Sequence, residues 1–193
     1  MPNECMNTLG IMGEKEEVEK FVRFVTYPEN NEIALFNSLI PMPEELFNTT
    51  SPVSAADKEK SPELIAKYGA DNWYDWKIDN WGTKWGDYEL SSSEITQIKE
   101  YKINSDEVLR DEWHIHFSYT TAWGPGENEL ANAICKLFPK LKAMIQYEEP
   151  GMAFAGETLI LNGTIVKQDS WEMHNLHEHI TEVYWLQYEN ESE

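Results

Sequence analysis

Histidines are the first candidates for chemistry in this chain, because a neutral imidazole can ligate a metal or move a proton near neutral pH. His174, His177 and His179 form an H-x-x-H-x-H run, and His114 and His116 flank Ile115. Residues two apart on a strand point to one face, so His114 and His116 could supply half of a two-plus-two zinc site. On a helix, His174 and His177 would be neighbours and His179 would turn away. No H-E-x-x-H signature accompanies them, and Cys5 and Cys135 stand alone without a C-x-x-C partner. Adjacent carboxylates at Glu16/Glu17, Glu44/Glu45 and Glu148/Glu149 could run acid–base chemistry only if they converged, and neighbours on a helix or strand diverge. A P-loop, a G-x-G-x-x-G turn and a G-x-S-x-G elbow are all missing from the sequence. The expectation is no metal, no cofactor and no enzymatic activity.

Aromatic residues offer a different kind of site. Trp73, Trp76, Trp81 and Trp85 fall between Asn72 and Gly86, four of the eight tryptophans of the chain. A tryptophan buries about 150–250 Å², so this cassette is either a second small core or a contact surface. Helical spacing pairs Trp73 with Trp76 and Trp81 with Trp85, while Gly82 and Gly86 interrupt any long helix. As a contact surface it comprises Trp73, Trp76, Trp81, Trp85, Asp75 and Asp79, with Glu16 and Glu17 adding charge from another helix.

Charge narrows the partner. Fifteen Lys and Arg face 35 Asp and Glu, a net charge of −20. Such a surface repels phosphate and anionic membranes and attracts basic partners. The partner expected is therefore a protein with a basic, nucleic-acid-binding surface, with no direct contact to nucleic acid or membrane. Nothing at the start resembles a signal peptide, and no apolar run approaches the roughly 18 residues of a membrane span. Those features point to the cytoplasm. An aromatic pocket for a nucleotide-like ligand is the second reading, and a metal-dependent enzyme the third.

The elements that must position these residues follow from periodicity. A strand at 5–12 closes at Gly13, and a helix at 14–27 places Val18, Phe21, Val22 and Val25 on one face. Pro41 and Pro43 enforce an extended entry to a short helix, and 48–62 reads as loop. Strands follow at 94–103 and 112–121, the second alternating Trp113, Ile115, Phe117 and Tyr119 inward. After the break at Gly124-Pro125-Gly126, a helix starts at Glu127 and is stopped or bent by Pro139. Strands at 143–148 and 152–161, an Asn162-Gly163 turn of type I′ and a strand at 164–168 complete the pattern. A helix is expected over 175–187. This order predicts an α+β, ferredoxin-like (split βαβ) fold: an antiparallel sheet with its helices on one face, and an extra C-terminal hairpin. It forms one domain over 1–193, with a Trp-rich insert at 44–93 and a C-terminal extension at 171–193.

Several ordered motifs carry a resemblance. They are Met1-Pro2-Asn3-x-Cys5-x-Asn7-x-Leu9-x-Ile11-x-Gly13, Leu39-Ile40-Pro41-Met42-Pro43-Glu44-Glu45-Leu46, Tyr68-Gly69 through Trp85, Thr121-Ala122-Trp123-Gly124-Pro125 and Gly151-Met152-Ala153-Phe154-Ala155-Gly156. From residue 1 to about 168 the chain resembles the Api-like phage protein family, related to the conjugative-plasmid protein YubB. Glu4 departs from the Trp usual there. The resemblance, to a family with no established enzyme activity, implies a ferredoxin-like domain and a setting in mobile genetic elements, where small acidic proteins often counter host defences.

Overall fold

A computed structural model describes residues 3–55, 57–102 and 108–172. Among them, strand β1 (Glu4–Gly13) is central, and both its edges pair antiparallel. On one side lies β4 (Val108–Ala122), in register from Glu4↔Ala122 to Gly13↔Trp113. On the other lies β5 (Lys142–Glu149), followed outward by β6 (Phe154–Leu161) and β7 (Thr164–Glu172). The far edge of β4 carries two short strands in turn, β2 (Tyr88–Ser92) and β3 (Thr96–Lys102). Each βαβ crossover is split by an antiparallel strand, the ferredoxin-like arrangement that the sequence order predicts.

Helix α1 (Lys15–Val25) connects β1 to the rest, and α5 (Glu127–Leu137) connects β4 to β5. Val18, Phe21 and Val25 of α1 share one core with Leu130, Ala131 and Ile134 of α5. Leu9 and Ile11 of β1 and Ile115, Phe117 and Tyr119 of β4 complete it from the sheet. The Phe21 and Phe138 rings meet edge-on at 5.1 Å. Both helices therefore cover the same face, as expected from their apolar stripes. Alternation has the complementary result on the other face, where Met6 and Thr8 are exposed.

Differences from the periodicity reading are local. The strand expected at 164–168 runs to Glu172, because β6 continues to offer partners as far as Phe154↔Glu172. β2 went unread: its residues alternate weakly, and β4 is what recruits them. Between α1 and β2 the insert folds into α2 (Leu35–Leu39), a 3-10 turn at Glu44–Leu46, α3 (Ser61–Tyr68) and α4 (Trp73–Trp81). Asn162 and Gly163 have φ of 52° and 70°, matching the type I′ turn. The extension from residue 173, with His174, His177, His179 and the helix expected over 175–187, lies outside the described residues.

Within the cassette, α4 is framed by polar chemistry at both ends. Buried Asn72 caps it, its side-chain oxygen accepting from the Tyr74 and Asp75 amides at 3.1 and 3.0 Å. Gly82, left-handed at φ 67°, ends it. Trp76 and Trp81 retain only 5% and 3% of their surface, and pack edge-on at 5.8 Å. Trp81 also donates from its indole N–H to the Ile40 carbonyl at 2.8 Å and packs on Phe36. Two of the four cassette indoles are thus core. Trp73 and Trp76 do share α4 at the expected spacing, whereas Trp81 and Trp85 do not, because the helix ends at Trp81 and leaves Trp85 in the following loop. Trp81→Ala should destabilise the domain by about 3–5 kcal/mol, as large-to-small core changes do. Trp85→Ala should cost well under half of that; urea denaturation followed by circular dichroism compares the two.

Candidate functional site

What remains exposed around the cassette is assembled from three segments. The first turn of α4 supplies Trp73 and Tyr74, both half-buried. The loop after α4 supplies Lys84 and Trp85, and the end of β4 supplies Trp123. Trp85 and Trp123 each keep 41% of their surface exposed. Trp73 and Tyr74 meet edge-on at 5.7 Å, Tyr74 and Trp123 at 6.4 Å, and Trp85 and Tyr88 at 5.9 Å. Lys84 links these ring pairs. Its ammonium lies 4.9 Å from the Trp85 ring, 5.1 Å from Trp123 and 5.8 Å from Tyr74. The result is an aromatic ridge with one cation at its centre.

Buried contacts fix this ridge. Thr83, 1% exposed, both donates from its hydroxyl to the Ala122 carbonyl at 2.9 Å and accepts from the Ala122 amide at 3.1 Å. One side chain therefore pins the 82–85 loop to the last residue of the central strand pair. Beyond Ala122 the chain turns sharply: the Gly124 amide donates back to the Ala122 carbonyl at 3.0 Å, around Trp123 at φ 71°. An i→i+2 bond around a positive-φ residue is a γ-turn of the rare, strained kind. A bulky aromatic in that region is a true backbone outlier, costing on the order of 1–3 kcal/mol. Thr121 bonds the Gly124 carbonyl at 2.9 Å and Asn3 accepts from the Trp123 amide at 2.9 Å, so the turn is over-determined.

The other site candidates fall elsewhere. Asp75 and Asp79 are exposed on α4 beside the ridge. Glu16 and Glu17 begin α1 just past Gly13, which pairs with Trp113, whereas the ridge sits beside Ala122, which pairs with Glu4. Nine steps of strand separate those ends, about 30 Å, so Glu16 and Glu17 do not join the ridge. Glu17 instead meets Lys140 at 3.3 Å. Trp76 and Trp81, expected as contact residues, are core and leave the site for the packing reason given above. Trp123, Tyr74, Lys84 and Tyr88 were missed. Periodicity assigns Trp123 to no face, since it sits on the break itself, and only the folded register brings it to the cassette.

His114 and His116 do share a face, their rings 5.0 Å apart, and burial lowers the pKa of both. Among the described residues no group of three or more His, Cys, Asp or Glu converges as a metal site. Burial pushes the Cys5 thiol up to about 12 and raises that of Cys135. A groove of about 450 Å³ lies between Tyr147, Phe154, Ser170, Trp171 and Glu172, a lining that brings no cation for a phosphate. No described helix is long and apolar enough to cross a membrane.

Residues 100–187, which begin in β3 and include β4, α5 and β5 to β7, match the family model described as a ferredoxin-like domain in Api92-like protein. Over that stretch the chain is similar to Api92-like proteins. Trp123 lies inside the Api92-like region, and the insert with Trp73, Tyr74, Lys84 and Trp85 precedes it. A crystal structure of a protein Api92 from Yersinia pseudotuberculosis aligns with 89% of this chain and 98% of its own, at 11% identity and a TM-score of 0.45. No curated protein matches.

Two outcomes test this geometry. Because Trp123 holds a conformation that glycine adopts freely, Trp123→Gly should be more stable than Trp123→Ala by about 1 kcal/mol, measured by thermal denaturation. The second concerns Glu127 at the start of α5. Burial raises its pKa above the ordinary 4.5, outweighing the bonds from its own backbone, Tyr147 and Gln168. The folded state then holds this proton more tightly than the unfolded one, so the stability it contributes is lost as pH rises from 4.5 through the raised value. Glu127→Gln should therefore gain stability relative to the native chain as pH climbs through that window, seen as diverging melting temperatures.

Proposed function

We propose that this is a non-enzymatic acidic protein that binds and inhibits a host protein with a basic, nucleic-acid-binding surface. The setting of that proposal is a phage or conjugative plasmid, with the anti-defence role implied by the resemblance to the Api-like phage protein family. The observation that carries it is the ridge of half-buried Trp73 and Tyr74 with exposed Trp85 and Trp123, the last kept at a backbone cost, in a chain of net charge −20. Strain of that kind is retained where something other than stability selects the residue. Exposed tryptophans make the strongest anchors of protein interfaces, and a negative field steers basic partners to them. Competition with nucleic acid, as a DNA mimic, follows from the same charge. A nucleotide-like ligand is less well served at the aromatic groove by Tyr147 and Phe154, whose described lining brings Glu172 and no lysine or arginine. The groove of about 380 Å³ that does hold Lys60 and Lys67 is lined by Glu45, Asp57 and Glu63 and by no aromatic side chain.

Capture from host extract tests the reading. The native chain should retain a basic protein that added DNA displaces, and the Trp85→Ala/Trp123→Ala double variant should lose it by at least tenfold. Raising salt should slow association far more than it speeds release, whereas Glu16→Lys with Glu17→Lys should leave release unchanged. Equal retention by the native and double-variant chains would remove the ridge from the mechanism.

A further inference from the structure

The site proposed above holds a cation already. Lys84 lies within 5.8 Å of three ring centroids at once, those of Tyr74, Trp85 and Trp123. Among the described residues it forms no ion pair, and it lies against rings. The three rings belong to three different segments, and each is placed by something rigid. Tyr74 follows the Asn72 cap, Trp85 follows the Thr83–Ala122 clasp, and Trp123 is held in its γ-turn. Rings held in this way attract a cation, since the negative ring faces draw positive charge wherever it comes from. The helix that carries Tyr74 also exposes Asp75 and Asp79 on a chain of net charge −20.

We infer that Tyr74, Trp85 and Trp123 form a receptor for one arginine side chain of a basic partner, and that Lys84 is a resident plug displaced on binding. The inference rests on the proposed function for its partner class but not for its chemistry. Arginine suits the cage better than lysine because a guanidinium is planar, stacks on aromatic faces and is weakly hydrated. Its outer N–H groups remain free to donate to acceptors beyond the rings. Lys84 keeps the cage from standing empty, and being tethered by a flexible four-carbon stem it can leave for solvent without moving the backbone. Displacement gives the site a built-in selectivity. A weakly interacting cation cannot outcompete the tethered one, so only a partner that adds contacts elsewhere along the ridge gains entry.

The test uses a short arginine oligomer, a lysine oligomer of the same length and a single-stranded oligonucleotide as probes. It is run in about 1 M salt, where the screening length falls to about 3 Å and general attraction to the acidic surface is suppressed. Affinities are read from tryptophan fluorescence and confirmed by calorimetry. Lys84→Ser should bind the arginine oligomer about 2–5-fold more tightly than the native chain, the factor that corresponds to loss of one exposed competing cation–π contact. Lys84→Gln should shift the same way, which keeps the test usable if the serine variant folds poorly. That gain should vanish when Trp123→Ala is added, and the lysine oligomer should bind more weakly throughout. Equal or weaker binding by both Lys84 variants would overturn the plug, as would a gain that survives Trp123→Ala. Preference of Lys84→Ser for the oligonucleotide would overturn the receptor, making the ridge a base-stacking platform. Arginine binding with no host protein captured would leave this inference standing and remove the proposed function instead.

Discussion

The close approach of Trp81 to the turn after β4 is the constraint on which the candidate site depends. Gly126, left-handed at φ 64°, abuts the Trp81 carbonyl and leaves no room for a side chain. A Cβ on Gly86 would lie 3.0 Å from the Trp81 ring, and one on Gly124 would lie 3.3 Å from the Gly82 carbonyl. These contacts bring the end of α4 against the end of β4, one residue before the Thr83–Ala122 clasp. Once that clasp is made, Lys84 and Trp85 have few places to go. Burial of Trp81 thus decides where the exposed aromatics stand.

The same arrangement explains why a protein so acidic tolerates an aromatic surface. A ridge of four large rings would invite self-association on a neutral protein. Here net repulsion between copies opposes it, and Lys84 and Lys77 lie against the rings. Lys77 sits 4.6 Å from the Trp81 ring and is desolvated enough that its pKa falls. Among the described residues, three of the chain's fifteen Lys and Arg cover tryptophan, the third being Lys15 over Trp113 at 4.5 Å.

Much of the fold was legible because its signals are local. Alternation in β4, the helical stripe of α1 and the Asn162-Gly163 turn each state an element within a few residues, and the order of elements then selects the topology. Burial was less legible. Trp76 and Trp85 are alike in composition and neighbourhood, and only the cap at Asn72 and the stop at Gly82 separate the buried one from the exposed one. Trp123 was out of reach for a different reason. Its partners Tyr74 and Lys84 lie some forty to fifty residues earlier, joined to it by the β1–β4 register and the Thr83 clasp rather than by any pattern along the chain.

Placement of the partner is the central claim, and site-specific cross-linking tests it most directly. A benzophenone side chain introduced at Asp75, beside the ridge, should form an adduct with one basic protein in host cells, and excess DNA in extract should suppress it. The same group at Glu16, at the opposite end of the sheet, should give none. Adducts of equal yield from both positions, or from Glu16 alone, would contradict the account.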